Sequence, residues 1–263
     1  MSERVDKLLH QQGIFESRKK AQVAIEKGLV FLIRSGNESL IKKVSEQIEW
    51  REGDSWRIVS DSEFDYVSRA GAKLAFALEH FKIDVKGKIC LDIGLSTGGF
   101  SDCLLKKGVR WVLGVDVGTE QLHPKMKTES QLIAFDKVNA REPLSEEIMA
   151  RFQARTGAQK FDLIVIDVSF ISLLKVLAPH RSLLATQGEI LVLFKPQFEV
   201  GPAMIHKKGL AAHDEGLRVL EKTVKTIEDL AFQVMGRVES SLKGEDGNQE
   251  YFIYARATDG PVS

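Results

Sequence analysis

The stretch Leu91-Asp92-Ile93-Gly94-Leu95-Ser96-Thr97-Gly98-Gly99-Phe100 sets the tightest limit on what this chain can fold into: an apolar strand runs into a glycine-rich turn that opens a helix. An acid, Asp116, stands at the end of the next apolar run. Glycines at such a turn let a ligand approach the backbone, and a carboxylate one strand later can accept hydrogen bonds from the hydroxyls of a ribose. Together they predict a nucleoside-bearing cofactor. A dinucleotide fingerprint, Gly-x-Gly-x-x-Gly, seats a pyrophosphate on the helix N-terminus, and Gly94, Ser96, Gly98 and Gly99 do not fit it. Asp92, ahead of the first glycine, would repel a phosphate but suit the amino group and sulfonium of S-adenosylmethionine. That cofactor is expected over NAD; the plainer alternative is a glycine turn that merely joins strand to helix.

At 263 residues the chain has room for one sizeable α/β domain and a small appendage, domains usually spanning ~50–200 residues. Its 37 Lys and Arg balance 37 Asp and Glu, so any nucleic-acid binding must come from local clustering rather than a global basic field. Cys90 and Cys103 have neither metal-ligand spacing nor the look of a secreted disulfide framework. The six histidines show no paired ligand spacing, so no metal is expected, and His206 and His213 read as ordinary polar residues. The start, Met1-Ser2-Glu3-Arg4-Val5-Asp6, lacks a signal-peptide core, and no apolar run nears the ~18–20 residues of a membrane span. These features predict a reduced, cytoplasmic protein without membrane association.

Texture divides the chain into residues 1–60, a polar link over 61–67 and residues 68–263. In the first part Val5, Leu8 and Leu9 have helical spacing, Gly13 breaks it, and Ser17 is placed to cap a helix through Arg18-Lys19-Lys20-Ala21-Gln22-Val23-Ala24-Ile25. That helix would turn Ala21, Ala24 and Ile25 inward and leave Arg18, Lys19 and Lys20 in solvent beside free backbone amides. Cations there oppose the helix dipole, so helix stability does not explain them, and phosphate contact does; a solvated face is the alternative. Gly28 to Arg34 reads as turn and strand, Ser35-Gly36-Asn37 as a turn, with short β pieces near Ile48 and over 56–59. Arg4-Val5-Asp6, Gly13, Ser17-Arg18-Lys19-Lys20-Ala21 and Gly28-Leu29-Val30 resemble the S4-type RNA-binding domain, although the residues after Val30 depart from its usual turn.

From residue 68 onward apolar strands near 88–92, 111–116, 131–135, 161–167 and 188–195 alternate with amphipathic stretches, which predicts a parallel sheet covered on both faces. A helix over 217–230 and strands near 233–241 and 249–257 follow, the last two separated by Gly244-Glu245-Asp246-Gly247-Asn248. In such sheets ligands bind beyond the C-terminal strand ends. Asp167 and Lys195 each end an apolar strand, Lys73 lies on the helix before the first strand, and Glu250 begins the last strand, which reaches the same edge if antiparallel. Burying an isolated charge is expensive, so charges ending apolar strands are read as functional, against the alternative of strand-end solubility residues. Lys195 is expected to remove a proton, its amine made available by burial beside a second cation, Lys73. Asp167 would orient it, and Lys73 and Glu250 would position the substrate. Lys207-Lys208 either extend an RNA surface or belong to a charged loop.

The order lysine, aspartate, lysine, glutamate at Lys73, Asp167, Lys195 and Glu250 resembles the tetrad of RNA 2′-O-methyltransferases related to FtsJ. More narrowly, Ser68-Arg69-Ala70-Gly71-Ala72-Lys73-Leu74, Ser96 to Leu104, Asp167-Val168-Ser169-Phe170-Ile171-Ser172-Leu173 and Lys195-Pro196-Gln197-Phe198-Glu199-Val200-Gly201, with the S4-like front, resemble the TlyA family, often called hemolysin A. Leu95 stands where that family has a small residue, and Asp136-Lys137-Val138-Asn139 where a glutamate-arginine-threonine-asparagine run is expected. The resemblance implies an α/β, Rossmann-like class I S-adenosylmethionine-dependent methyltransferase domain behind a small α+β S4-like domain. It implies methylation of a cytidine 2′-hydroxyl in ribosomal RNA, with ribosomal subunits as partners. Cofactor contacts are expected at Asp92, Gly94, Ser96, Thr97, Gly98, Gly99, Phe100, Asp116, Val117, Asp136 and Asp167, and RNA contacts at Arg4, Ser17, Arg18, Lys19, Lys20 and Arg69. Two other readings stay open. One is an RNA- or ribosome-binding protein with another methylation target, although Asp167-Val168-Ser169-Phe170 lacks the Pro-Pro-aromatic loop of base N-methyltransferases; the other is a membrane-lytic factor, for which no amphipathic or spanning segment is evident.

Overall fold

The computed structural model describes residues 2–59, 65–200, 212–244 and 246–258. His206, Lys207 and Lys208 lie outside the described residues. The chain forms two compact units, Met1–Asp65 and Tyr66–Ser263.

The first unit runs β1 (Ser2–Arg4), α1 (Val5–Gln11), α2 (Arg18–Glu26), β2 (Val30–Arg34), β3 (Asn37–Leu40), β4 (Gln47–Glu49) and β5 (Ser55–Ile58). β3, β2 and β5 make an antiparallel sheet in that order, and β1 pairs separately with β4. The Ser17 hydroxyl accepts the Lys20 N–H and caps α2, whose Ala21, Ala24 and Ile25 are buried with Val5, Leu9 and Val30. The apolar spacing thus fixes which face of α2 packs, and Arg18 and Lys19 remain exposed.

The second unit comprises α3 (Arg69–His80), β6 (Ile89–Ile93), α4 (Gly99–Lys106), β7 (Trp111–Val115), α5 (Pro124–Lys127), β8 (Leu132–Phe135), α6 (Glu146–Thr156), β9 (Phe161–Ile166), α7 (Leu173–His180), β10 (Leu184–Phe194), α8 (Pro196–Glu199), α9 (His213–Asp229), β11 (Phe232–Glu239) and β12 (Tyr251–Ala257). They build a seven-stranded sheet in the order β11-β12-β10-β9-β6-β7-β8, parallel from β10 to β8 and antiparallel at β12 and β11. Successive residues of β6 and β9 point to opposite faces. Leu91, Ile93, Ile164 and Ile166 join a core with α6, α7 and α9, while Cys90, Leu163 and Val165 join one with α3 and α4. Burial on both faces is why these strands read as unbroken apolar runs. The strand order reverses between β6 and β9, which opens a crevice at their C-terminal ends.

Three boundaries differ from expectation. The helix read as 217–230 begins at His213, because Asp214 and Glu215 favour a helix N-terminus and offset the weak helix propensity of Gly216. β10 starts at Leu184 rather than 188, with its register to β9 shifted between Leu184 and Glu189 and Gln187 at φ +60°. Glu250 does not begin β12 but immediately precedes it; its carbonyl accepts the Ser240 N–H at 2.8 Å, closing the β11–β12 hairpin ahead of the ladder.

Candidate active site

The turn after β6 is drawn against β7 by Gly94 and Leu95, whose N–H groups both reach the Val115 carbonyl, at 3.0 and 3.1 Å. Gly94 has φ +92°, and a Cβ there would lie 2.2 Å from the carbonyl oxygen of Asp167, so glycine is required where the β6 turn meets the β9 end. Leu95 is buried in the space over Gly114 of β7. The Asp116 carboxylate spans the turn, accepting Ser96 N–H at 2.8 Å and Gly118 N–H at 2.7 Å. Ser96 itself holds φ +45°, and such strained backbone clusters at ligand sites. Asp136, after β8, accepts the Glu120 N–H at 2.8 Å, and Val117 between them is 74% exposed.

Asp92 is fully buried on the α4 side of β6. Its Oδ2 accepts the Ser101 hydroxyl at 2.7 Å, and its Oδ1 has no partner. Loss of hydration, helped by the nearby charges of Asp167 and Asp116 and opposed by the Ser101 hydrogen bonds, pushes its carboxyl up to about 7. Cys90 and Cys103 are buried in the same layer, where burial raises the Cys103 thiol to about 12 and makes it unreactive.

Lys195 follows β10 directly, and the ladder sets its neighbours. Phe194 pairs with Tyr251 and Val192 with Ile166, so Glu250 and Asp167 come to either side of Lys195 at one sheet edge. Asp167 Oδ1 lies 2.6 Å from Lys195 Nζ, an ion pair off the line of a directed hydrogen bond, and the same Nζ donates to Ser169 Oγ at 3.1 Å. Lys73, on α3, donates to Glu250 Oε2 at 2.5 Å, and both are buried. The four predicted residues therefore form two ion pairs, and the charge in closest contact with each lysine is a carboxylate rather than the other lysine.

Phe170, Phe198 and Glu199 stand in the motifs quoted from the sequence, which gave them no role of their own. Phe170 is 85% exposed at φ +63°, and its ring packs on Phe198 with centroids 4.8 Å apart. A signal was available, since an aromatic three residues beyond a strand-end acid lies outside the strand's packing. In the first unit Asp6 is buried and gathers Arg4 Nε (3.0 Å), Arg18 (2.8 Å) and Gln22 (2.6 Å). These bonds hold the Asp6 carboxyl well below the usual range against the opposing effect of burial, while the two arginine side chains remain 43% and 47% exposed. Lys20 pairs with Glu16 at 2.7 Å. Arg69 opens α3 and is exposed. Among the described residues no group of three or more His, Cys, Asp or Glu could hold a metal ion, and no helix is long and apolar enough to cross a membrane.

A mostly parallel α/β sheet with a glycine turn, a strand-end acid and two lysine–carboxylate pairs at its C-terminal edge defines a Rossmann-like methyltransferase, and residues 66–257 match the FtsJ-like methyltransferase family; the chain belongs to it. Two of its relatives illustrate the names the family carries. The chain is 35% identical over 263 residues to the 16S/23S rRNA (cytidine-2′-O)-methyltransferase TlyA of Mycobacterium tuberculosis, covering 99% of this chain and 92% of that protein. It is 36% identical over 253 residues to Hemolysin A of Brachyspira hyodysenteriae, covering 95% of this chain and 98% of that protein. A solved hemolysin-named structure from Streptococcus thermophilus matches with TM-score 0.71 and 35% identity, over 99% of this chain and 90% of that one.

Proposed function

We propose that the protein transfers a methyl group from S-adenosylmethionine to the 2′-hydroxyl of a cytidine in ribosomal RNA, in the cytoplasm. The observation that carries the reading is Lys195 at the crevice edge, paired with Asp167 and flanked in register by Glu250, itself paired with Lys73. The β6 turn fits the cofactor. Asp92 keeps a buried oxygen without a partner and ionises reluctantly in the free protein, a defect that a cationic group would relieve. Gly94 leaves no side chain at the crevice, and Asp116, Asp136 and Val117 offer hydroxyl acceptors and an exposed apolar surface for a nucleoside. Ser96, Thr97, Gly98, Gly99 and Phe100 complete the turn and the first residues of α4.

When bound, S-adenosylmethionine supplies a methyl group on a positively charged sulfur. The remaining work is the chain's. For this step Lys195 Nζ must be unprotonated to accept the proton of the 2′-hydroxyl, and Asp167, its ion-pair partner at 2.6 Å, holds it at the crevice edge. Lys73 and Glu250 brace the ribose and its phosphate, since much of the acceleration in such a displacement comes from alignment. Phe170 presents an exposed ring on which a base of single-stranded RNA can stack.

The first unit is read as an S4-like RNA-binding domain. Arg4, Arg18 and Lys19 form its basic edge, with Ser17 and Lys20 at the α2 start; on the second unit Arg69 is read as a separate phosphate contact, and such contacts orient RNA without reading its sequence. The test is to incubate the protein with labelled S-adenosylmethionine and unmodified ribosomal subunits and to identify the labelled nucleoside after complete digestion. 2′-O-methylcytidine is expected; a base-methylated nucleoside, or no label in RNA, would contradict the proposal.

A further inference from the structure

The segments that follow β9 and β10 are joined in three successive contacts. Lys195 reaches Asp167 and Ser169, the Phe198 ring packs on Phe170, and Glu199 Oε1 accepts the Leu173 N–H at 2.6 Å. The Ser172 hydroxyl also hydrogen-bonds the Glu199 carboxylate, which burial alone would shift toward its neutral form. Ser172 occupies the N-cap position of α7 yet makes no side-chain bond to its own helix. The acceptor that an N-terminal amide of α7 needs comes instead from Glu199, the last residue of α8. α8 has four residues, too few to fix its position by helix propensity. Between these anchors Phe170 holds a left-handed backbone conformation, φ +63°, which bulky residues rarely adopt unless the surroundings enforce it.

We propose that Glu199 is a positioning residue for methyl transfer: by binding Ser172 and Leu173 it pins the Asp167–Ser172 loop to α8 and so holds Asp167 in register with Lys195. The inference rests on the reading of Lys195 as the base. Glu199 lies four residues beyond Lys195, and its partners Ser172 and Leu173 lie five and six beyond Asp167 on the opposite loop, so it closes the far end of the crevice wall whose near end is the Asp167–Lys195 pair. Freeing that end lets two short loops move separately, and small misplacements of reacting groups have large kinetic consequences, up to about 10²-fold for ~1 Å.

The experiment uses the full chain and the variants Glu199→Ala and Glu199→Gln. It measures kcat and KM on unmodified ribosomal subunits, S-adenosylmethionine affinity by calorimetry, and hydrogen exchange of the Leu173 amide. Glu199→Ala should lower kcat at least tenfold in the folded protein, leave cofactor affinity within twofold, and release the Leu173 amide to fast exchange. Glu199→Gln, whose amide oxygen still accepts both bonds, should restore kcat and protection. A merely structural role would lower the melting temperature without changing kcat of the folded fraction. Should Glu199→Ala not fold, Glu199→Asp replaces it, keeping the charge while shortening the reach. Wild-type kcat in a folded Glu199→Ala or Glu199→Asp protein would overturn the proposal, as would an equal loss in Glu199→Gln. An inactive wild-type protein would count against the methyltransferase reading, and an unchanged Leu173 exchange rate against the pinning contact itself.

Discussion

Replacing Asp92 with asparagine should flatten the dependence of stability on pH, by an amount set by one buried carboxylate. The folded protein raises this carboxyl from 3.8 to about 7, chiefly through burial. A displacement of about three pH units, at ~1.36 kcal/mol each, corresponds to about 4 kcal/mol of linked stability. The unfolded chain ionises Asp92 near pH 4 and the folded chain near pH 7, so between these values the folded state holds the extra proton. The contribution is therefore fully present below about pH 4 and is lost as pH rises through about 7. Asparagine still accepts the Ser101 hydroxyl and cannot ionise. Urea unfolding of the cofactor-free proteins, followed by circular dichroism, should give nearly equal stabilities near pH 3 and a variant more stable than wild type at pH 8, by up to about 4 kcal/mol. Saturating S-adenosylmethionine should reverse the order at pH 8, because a cation beside the carboxylate favours its charged form. A difference between variant and wild type that is the same at both pH values would refute the reasoning.

Gly94→Ala places a side chain at φ +92° and 2.2 Å from the Asp167 carbonyl; the backbone strain alone costs about 1–3 kcal/mol, so melting temperature should fall and cofactor affinity should drop more than tenfold in calorimetry. Retention of both would mean that the turn does not abut the β9 end. Phe170→Ala removes a largely exposed ring, so unfolding free energy should change by no more than about 0.5 kcal/mol, while loss of a stacked base, worth ~1–3 kcal/mol, should raise KM for RNA about 5- to 150-fold with cofactor affinity unchanged. An unaltered KM would remove Phe170 from the RNA path. Arg4→Ala with Arg18→Ala should weaken RNA binding and reduce the slope of log affinity against log salt by about 1.4–1.8, at ~0.7–0.9 per phosphate contact. An unchanged slope would assign the phosphates to other residues.

The sheet was legible because Ile89–Ile93, Phe161–Ile166 and the end of β10 are apolar runs that only a strand buried on both faces explains. Asp167 and Lys195 stood out for the complementary reason, each a charge at the end of such a run. Their pairing was less legible. Lys73 meets Glu250 across 177 residues of sequence, and nothing local tells which lysine takes which carboxylate; that follows from strand register. β1 and β3 escaped notice because Ser2-Glu3-Arg4 and Asn37-Glu38-Ser39-Leu40 have no alternation and are strands by virtue of their partners β4 and β2. The start of α9 was obscured by Gly216, whose weak helix propensity is overridden by the acidic first turn. Phe170 was legible only as an aromatic beyond a strand end: its exposure and left-handed backbone come from the contacts between the loop after β9 and the segment after β10, which fold on different strands.

The central claim is that Lys195 drives methylation of a ribose hydroxyl. Its most direct test is label transfer from S-adenosylmethionine to unmodified ribosomal subunits, with wild type beside Lys195→Ala, cofactor binding measured on both, and the RNA examined for alkali-resistant linkages. Label in such linkages with wild type alone, at equal cofactor affinity, is the expected result. Equal label from Lys195→Ala, or label confined to alkali-sensitive linkages, would contradict it.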